Sequence, residues 1–265
     1  MTDRVAADAG QDALLALAAE IARAAGAQLC DAFARVGDLR IATKSTATDL
    51  VSEADVAAER LIRERLAAAR PDDGMLGEEG SDLTGSSGLR WVVDPLDGTV
   101  NFLFGIPQWC VSIAVEDADG AVAGVVFDAL RDELWTATRD GPPVVNGEPV
   151  SRAERTELAT ALVATGFGYD AGVRRVQAEV IGRLLPRVRD VRRLGSAALD
   201  LAWTAAGRYD AYFERGIKTW DFAAGALICE AARLEVRHLD PAPPMDAGIL
   251  VAPPALVDEL ASLVD

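Results

Sequence analysis

The sequence predicts a layered α/β protein. Three observations carry that expectation: an Ala-rich amphipathic helix near the start, a crowd of hairpins between Trp91 and Gly147, and alternating strand and helix patterns from Ser151 onward. The 265 residues suffice for one large domain or two tightly joined halves.

Each element has its own signal. Residues 12–35 place Leu14, Ile21, Ala25, Leu29 and Phe33 at helical spacing, the pattern of a core-packing helix. Residues 44–51 read as a polar loop with a short extended piece. Ser52 can cap the next helix, with Asp55 at its third position. That helix runs through Leu61, Ile62 and Leu66 and stops at Pro71. A short strand over 74–76 and a Ser/Gly/Thr loop over 82–88 follow. Trp91, Val92 and Val93 are apolar and β-branched or aromatic, so they form a buried strand that ends on Asp94. Strands over 109–115 and 121–127 flank the turn Asp117-Ala118-Asp119-Gly120. Another strand covers 133–137, before turns at Gly141-Pro142-Pro143 and Asn146-Gly147.

After Ser151, strands at 160–165, 191–194, 209–213, 234–238 and 249–252 alternate with helices at 173–185, 196–206, 221–233 and 255–264. Ser196 is placed to cap its helix, and Gly207 to end it. The chain is expected to divide at this change of pattern, into residues 1–150 and 151–265.

Composition narrows the function. The net charge of −16 is the wrong sign for a general nucleic-acid binder, so no such partner is expected. It would also repel a phosphorylated substrate unless bound cations reverse the local sign. Cys30, Cys110 and Cys229 lack metal-type spacing, and an odd count fits reduced thiols in cytoplasm. The polar start has no apolar signal core, and no uninterrupted run of about 18 apolar residues predicts a membrane span. His238 is the one histidine, which removes His-rich zinc sites and most Ser–His–Asp chemistry. A hydrolytic water would therefore need a metal or a carboxylate to activate it.

Carboxylates are supplied at the end of the strand carrying Trp91. Pro95 holds Asp94 extended, and Gly98 permits a tight turn. Asp94 and Asp97 can then point into one space, with the Leu96 carbonyl between them. Hard oxygen donors of this kind suit Mg²⁺. Thr99 follows where a short helix could begin, leaving backbone N–H groups for an anion. Taken alone, Asp-x-x-Asp-Gly is better read as an ordinary strand and turn, with Asp and Gly there for turn chemistry.

Two further stretches shift that balance: Gly77-Glu78-Glu79-Gly80 upstream and Trp220-Asp221-Phe222-Ala223-Ala224-Gly225 downstream. Together the three resemble the inositol monophosphatase family, phosphomonoesterases that use Mg²⁺ and are related to fructose-1,6-bisphosphatases. The resemblance covers about residues 44–231. It implies an α-β-α-β-α sandwich with the active site between the halves. It also implies two or three Mg²⁺ ions, ligated by Glu78, Asp94, Asp97, Asp221 and the Leu96 carbonyl. Glu78 and Thr99 would orient the attacking water, with Asp55 hydrogen-bonded to Thr99 and Lys44 near the metals. Backbone N–H groups at Gly98 and Thr99 would hold phosphate. Asp97, Asp221, Gly195, Ser196, Ala197 and Glu214 match positions that contact the substrate. Strand alternation would turn Glu79 away, so it is left out of the set.

The implied reaction is hydrolysis of inositol-1-phosphate by metal-activated water, with sensitivity to Li⁺ and a homodimeric state. The same machinery could act on histidinol phosphate, fructose 1,6-bisphosphate or a 3′-phosphoadenosine nucleotide. A regulatory protein-binding role on the same fold is the reading from another class. The chain departs from the family at Glu230-Ala231-Ala232-Arg233, where two glycines are usual. It also departs at Phe104, where histidine is common, and in the shortened turn Gly141-Pro142-Pro143.

Overall fold

The structure, a computed structural model, describes the backbone at residues 2–35, 41–43 and 50–265, and the side chains at 10–35 and 53–265. Lys44 and the Ser52 side chain lie outside the described residues.

The chain begins with α1 (Thr2–Phe33), the ribbon strands β1 (Ile41–Thr43) and β2 (Leu50–Ser52), and α2 (Glu53–Ala69). It continues through β3 (Gly74–Gly77), β4 (Asp82–Leu83), β5 (Arg90–Asp97) and the short α3 (Thr99–Leu103). Next come β6 (Cys110–Asp117), β7 (Gly120–Asp128), β8 (Glu133–Thr138), β9 (Val144–Val145) and β10 (Glu148–Pro149). The second part runs β11 (Leu162–Thr165), α4 (Ala171–Leu184), β12 (Asp190–Arg192), α5 (Ala197–Ala205), β13 (Ala211–Arg215) and α6 (Thr219–Ala231). It closes with β14 (Glu235–Leu239), β15 (Gly248–Ala252) and α7 (Val257–Val264).

These elements stack as the expected five layers. The outer pair α1 and α2 buries Ile21, Ala25 and Leu29, and Ala58, Ile62 and Leu66, each set at four-residue spacing along one helix face. They cover one face of an eight-stranded sheet of order β10-β9-β8-β7-β6-β5-β3-β4. It is antiparallel except where β3 and β5 run parallel. Its other face packs on α5 and α6. These two helices also cover a five-stranded sheet of order β12-β11-β13-β15-β14, whose far face carries α4 and α7.

The middle layer touches apolar surface on both sides, so its helices are rich in Ala and Leu throughout. Close approach needs small residues. A Cβ on Gly225 of α6 would lie 2.6 Å from Leu201 of α5, and one on Gly124 of β7 would lie 3.1 Å from Ala224.

Several expectations shift. β5 does not end on Asp94 but continues through Asp97. The expected strand at 209–213 sits two residues later, as β13. Asn146 and Gly147 both take positive φ, 50° and 84°, as an Asn-Gly hairpin turn requires. At the departure after α6, Arg233 adopts φ 63°, so a side-chain-bearing residue takes the left-handed position that glycine normally fills. Phe104 is 71% exposed. Residues 10–33 of α1 average a hydropathy of 1.4 in one window and could cross a membrane by length and composition. Its residues Ile21, Ala22 and Leu29 are buried against the sheet.

Candidate active site

The site begins with an irregularity in β5. Residues three apart on a regular strand face opposite ways. Against β6, however, Asp94 pairs with Ser112 and Asp97 with Cys110, so three steps on β5 answer two on β6. The extra residue is a β-bulge, and Pro95, which cannot donate to the ladder, sits inside it. The bulge keeps Trp91, Val93 and Leu96 in the core under α1 and α2, while Asp94 and Asp97 both line a cavity on the other side.

Local bonds hold these groups. Asp94 Oδ1 accepts the Leu96 N–H at 3.0 Å. Gly98 has φ 99°, and a Cβ there would come 2.8 Å from the Gln108 carbonyl oxygen, so glycine is required. Thr99 opens α3. Its Oγ1 lies 3.1 Å from Asp55 Oδ2 and 3.0 Å from the Leu96 carbonyl oxygen, within donating distance of both. Asp55 itself is fully buried in the first turn of α2.

Glu78 and Glu79 follow β3 in a turn, not on a strand. Alternation therefore does not govern Glu79, and that ground for leaving it out does not hold. Oxygens of Asp55, Glu78 and Glu79 lie within 4.8 Å of one another. So do oxygens of Glu78, Asp94 and Asp221. Asp221 occupies the third position of α6, where its Oδ2 accepts the Lys218 N–H at 2.6 Å; the cap position belongs to Lys218.

Asp97 lines the cavity and is held in a net of donors. Its Oδ2 accepts from the Ser196 hydroxyl at 2.6 Å, the Ala198 N–H at 2.7 Å and the Cys110 thiol at 3.8 Å. Ser196 is the cap residue of α5 but spends its hydroxyl on Asp97, not on the helix. Gly195 has φ 85°. The buried Asn101 of α3 donates to the carbonyls of Leu194 and Gly195 and to that of Gln108, so it clamps this turn to the Asp97 loop. The sequence motif contains Asn101, but nothing in its pattern revealed a role that depends on a turn 93 residues away. Glu214 accepts from the Tyr212 hydroxyl at 2.8 Å, and burial pushes its carboxyl up to about 7.

Glu78, Asp94, Leu96, Asp97, Gly98 and Thr99 share the cavity wall with Gly195, Ala197, Glu214 and Asp221; its volume is about 540 Å³. Asp55 and Ser196 stand behind that wall. Phe167, Tyr169, Arg193 and Lys218 also line the cavity.

Burial pushes the Asp94 carboxyl well above the usual range, and the charges of Glu78, Asp97, Asp221 and Asp55 push it further. Asp221 rises for the same reasons, burial first and then Asp97. Asp97 is raised by burial despite its donors. Converging hard oxygens that resist ionising together fit a bound cation, which relieves both the desolvation and the repulsion.

A layered α/β fold whose bulged central strand opens an acidic cavity defines a class of carboxylate-rich, cation-binding protein. The chain belongs to the inositol monophosphatase family, whose sequence profile matches residues 11–265, and it is a phosphoric monoester hydrolase. It is similar to inositol-1-monophosphatase SuhB of Mycobacterium tuberculosis, at 47% identity over 235 residues, covering 84% of this chain and 81% of that protein. It is also similar to the Nus factor SuhB of Xylella fastidiosa, at 44% over 212 residues, covering 80% and 76%. The crystal structure of extragenic suppressor protein suhB from Bartonella henselae superposes with a TM-score of 0.89 at 34% identity, covering 96% of this chain and 98% of that one.

Proposed function

We propose that the chain hydrolyses inositol-1-phosphate to myo-inositol and phosphate with Mg²⁺. The observation that carries this is the bulge that turns Asp94 and Asp97 into one cavity, where Asp94 meets Glu78 and Asp221. Glu78, Asp94, Asp97, Asp221 and the Leu96 carbonyl would hold two ions; the Asp55, Glu78 and Glu79 group favours a third beside Glu78. When bound, Mg²⁺ supplies Lewis acidity, lowering the pKa of water and neutralising charge on the phosphate and the leaving oxygen.

The chain's own groups do the rest. Thr99, held by Asp55, orients the attacking water, and Glu78 accepts its proton. The N–H groups of Gly98 and Thr99 bind phosphate oxygens. Gly195, Ala197 and Glu214 contact substrate hydroxyls; Ser196 acts through Asp97. Residues 1–150 bring most ligands, and residues 151–265 bring Asp221 and the substrate contacts. The working form is a Li⁺-sensitive homodimer in the cytoplasm.

Two observations favour related readings. Arg193 and Lys218 line the cavity and offer positive charge for a second phosphate, as in fructose 1,6-bisphosphate. The Nus factor name of one relative supports a protein-binding role alongside catalysis. A phosphate-release panel over inositol-1-phosphate, histidinol phosphate, fructose 1,6-bisphosphate and a 3′-phosphoadenosine nucleotide, with graded MgCl₂ and LiCl, tests the proposal. Preference for inositol-1-phosphate, with Mg²⁺ dependence and loss on adding Li⁺, is expected. Preference for a bisphosphate would reassign the substrate. No release from any of them would leave the binding role.

A further inference from the structure

We propose that Glu59 is a positioning residue that holds residues 78–81 in the shape that presents Glu78 to the metals; the inference rests on the reading of Glu78 as a ligand. Glu59 lies on α2, one turn after Asp55, and is 4% exposed. A buried carboxylate needs compensation. Among the described residues it comes from backbone and not from a cation. Oε2 accepts the Glu79 N–H at 2.7 Å, and Oε1 accepts the Ser81 N–H at 3.1 Å.

The turn is shaped to receive it. Gly77 N–H donates to the Ser81 carbonyl at 2.6 Å, and Gly80 takes φ 108°. A Cβ on Gly77 would lie 2.4 Å from Glu59 Oε2, so the glycine makes room for the carboxylate. Asp55 and Glu59 sit four residues apart on one helix face. One helix therefore anchors both Thr99, through Asp55, and the Glu78 turn, through Glu59.

Each of the two amides uses its own carboxylate oxygen. In Glu59→Gln one oxygen remains, and an NH₂ group faces an N–H. The turn then loses one anchor while the side-chain volume is unchanged. Groups that orient metal ligands typically matter 10–100-fold in metal affinity.

The test uses the full chain as Glu59→Gln and Gly77→Ala. Amide hydrogen exchange is read in EDTA, and Mg²⁺ half-saturation is read by phosphate release and by calorimetry. Exchange at residues 78–81 is expected to quicken about tenfold or more, with α5 and α6 unchanged. Half-saturation should rise by about 10–100-fold, and turnover should recover at saturating Mg²⁺. Unchanged exchange and half-saturation in folded Glu59→Gln would overturn the proposal. If Glu59→Gln does not fold, Gly77→Ala decides by the same criteria. A Glu78→Gln control separates the two readings. If that variant binds Mg²⁺ as the parent does, Glu78 is not a ligand, and the exchange measurement alone still decides whether Glu59 holds the turn.

Discussion

Asp94 concentrates the conflict that a cation must resolve. It is 1% exposed, and burial together with four neighbouring carboxylates raises its pKa. Asp94→Asn keeps the oxygen that accepts from the Leu96 N–H and removes the charge. Phosphate release should fall by more than the roughly 100-fold expected for losing an outer partner. The metal-free variant should melt no lower than the metal-free parent, since a buried like charge is gone. Near-normal turnover would refute the ligand assignment. A clear loss of metal-free stability would make Asp94 a structural residue.

At the scale of elements, most of the architecture was legible in the sequence. Helical spacing located the outer helices, and apolar runs between turn residues located strands that are covered on both faces. The bulge was not legible. Two aspartates three apart looked convergent, but on a regular strand they would diverge; the pairing of Asp97 with Cys110 settles it. The ground for leaving out Glu79 failed for a related reason, since a turn was read with strand geometry. Partners distant in the chain left no local signal, as with Asn101 on Leu194 and Ser196 on Asp97. The α6–β7 contact carries a prediction of its own. Gly124→Val suits a strand by propensity, yet its Cβ would press on Ala224, one turn beyond Asp221. Overpacking should cost about 1–3 kcal/mol and lower the melting temperature by several degrees, while Mg²⁺ half-saturation rises. A rise in melting temperature with unchanged Mg²⁺ response would show that the contact is slack.

For the molecule as a whole, protons and Mg²⁺ compete for the same carboxylates. Glu214 goes from an ordinary 4.5 to about 7 on folding, and Asp94, Asp97 and Asp221 move in the same direction. Raised acids mean that the folded state binds more protons than the unfolded one. Their stabilising contribution is full below the unfolded pKa values and is lost as pH rises through the folded ones. In EDTA, the melting temperature should therefore fall between about pH 4.5 and pH 7. Asp117, held low by Arg139, acts oppositely, but only below its ordinary value of 3.8. Added Mg²⁺ should raise the melting temperature more at the upper end of the window, because binding displaces protons. A flat EDTA profile, or a Mg²⁺ shift that shrinks with pH, would show that these groups do not share a cation. The single helical layer pressed between both sheets also sets how the molecule comes apart. Neither sheet can shed α5 and α6 without baring apolar surface on itself and on the helices. Both sheets should thus lose structure as one cooperative unit, with calorimetric and van't Hoff enthalpies equal and no half-folded species at equilibrium. A chain cut after residue 150 would keep its hairpins but lose the lid of its core, and should aggregate rather than persist as a small independent domain.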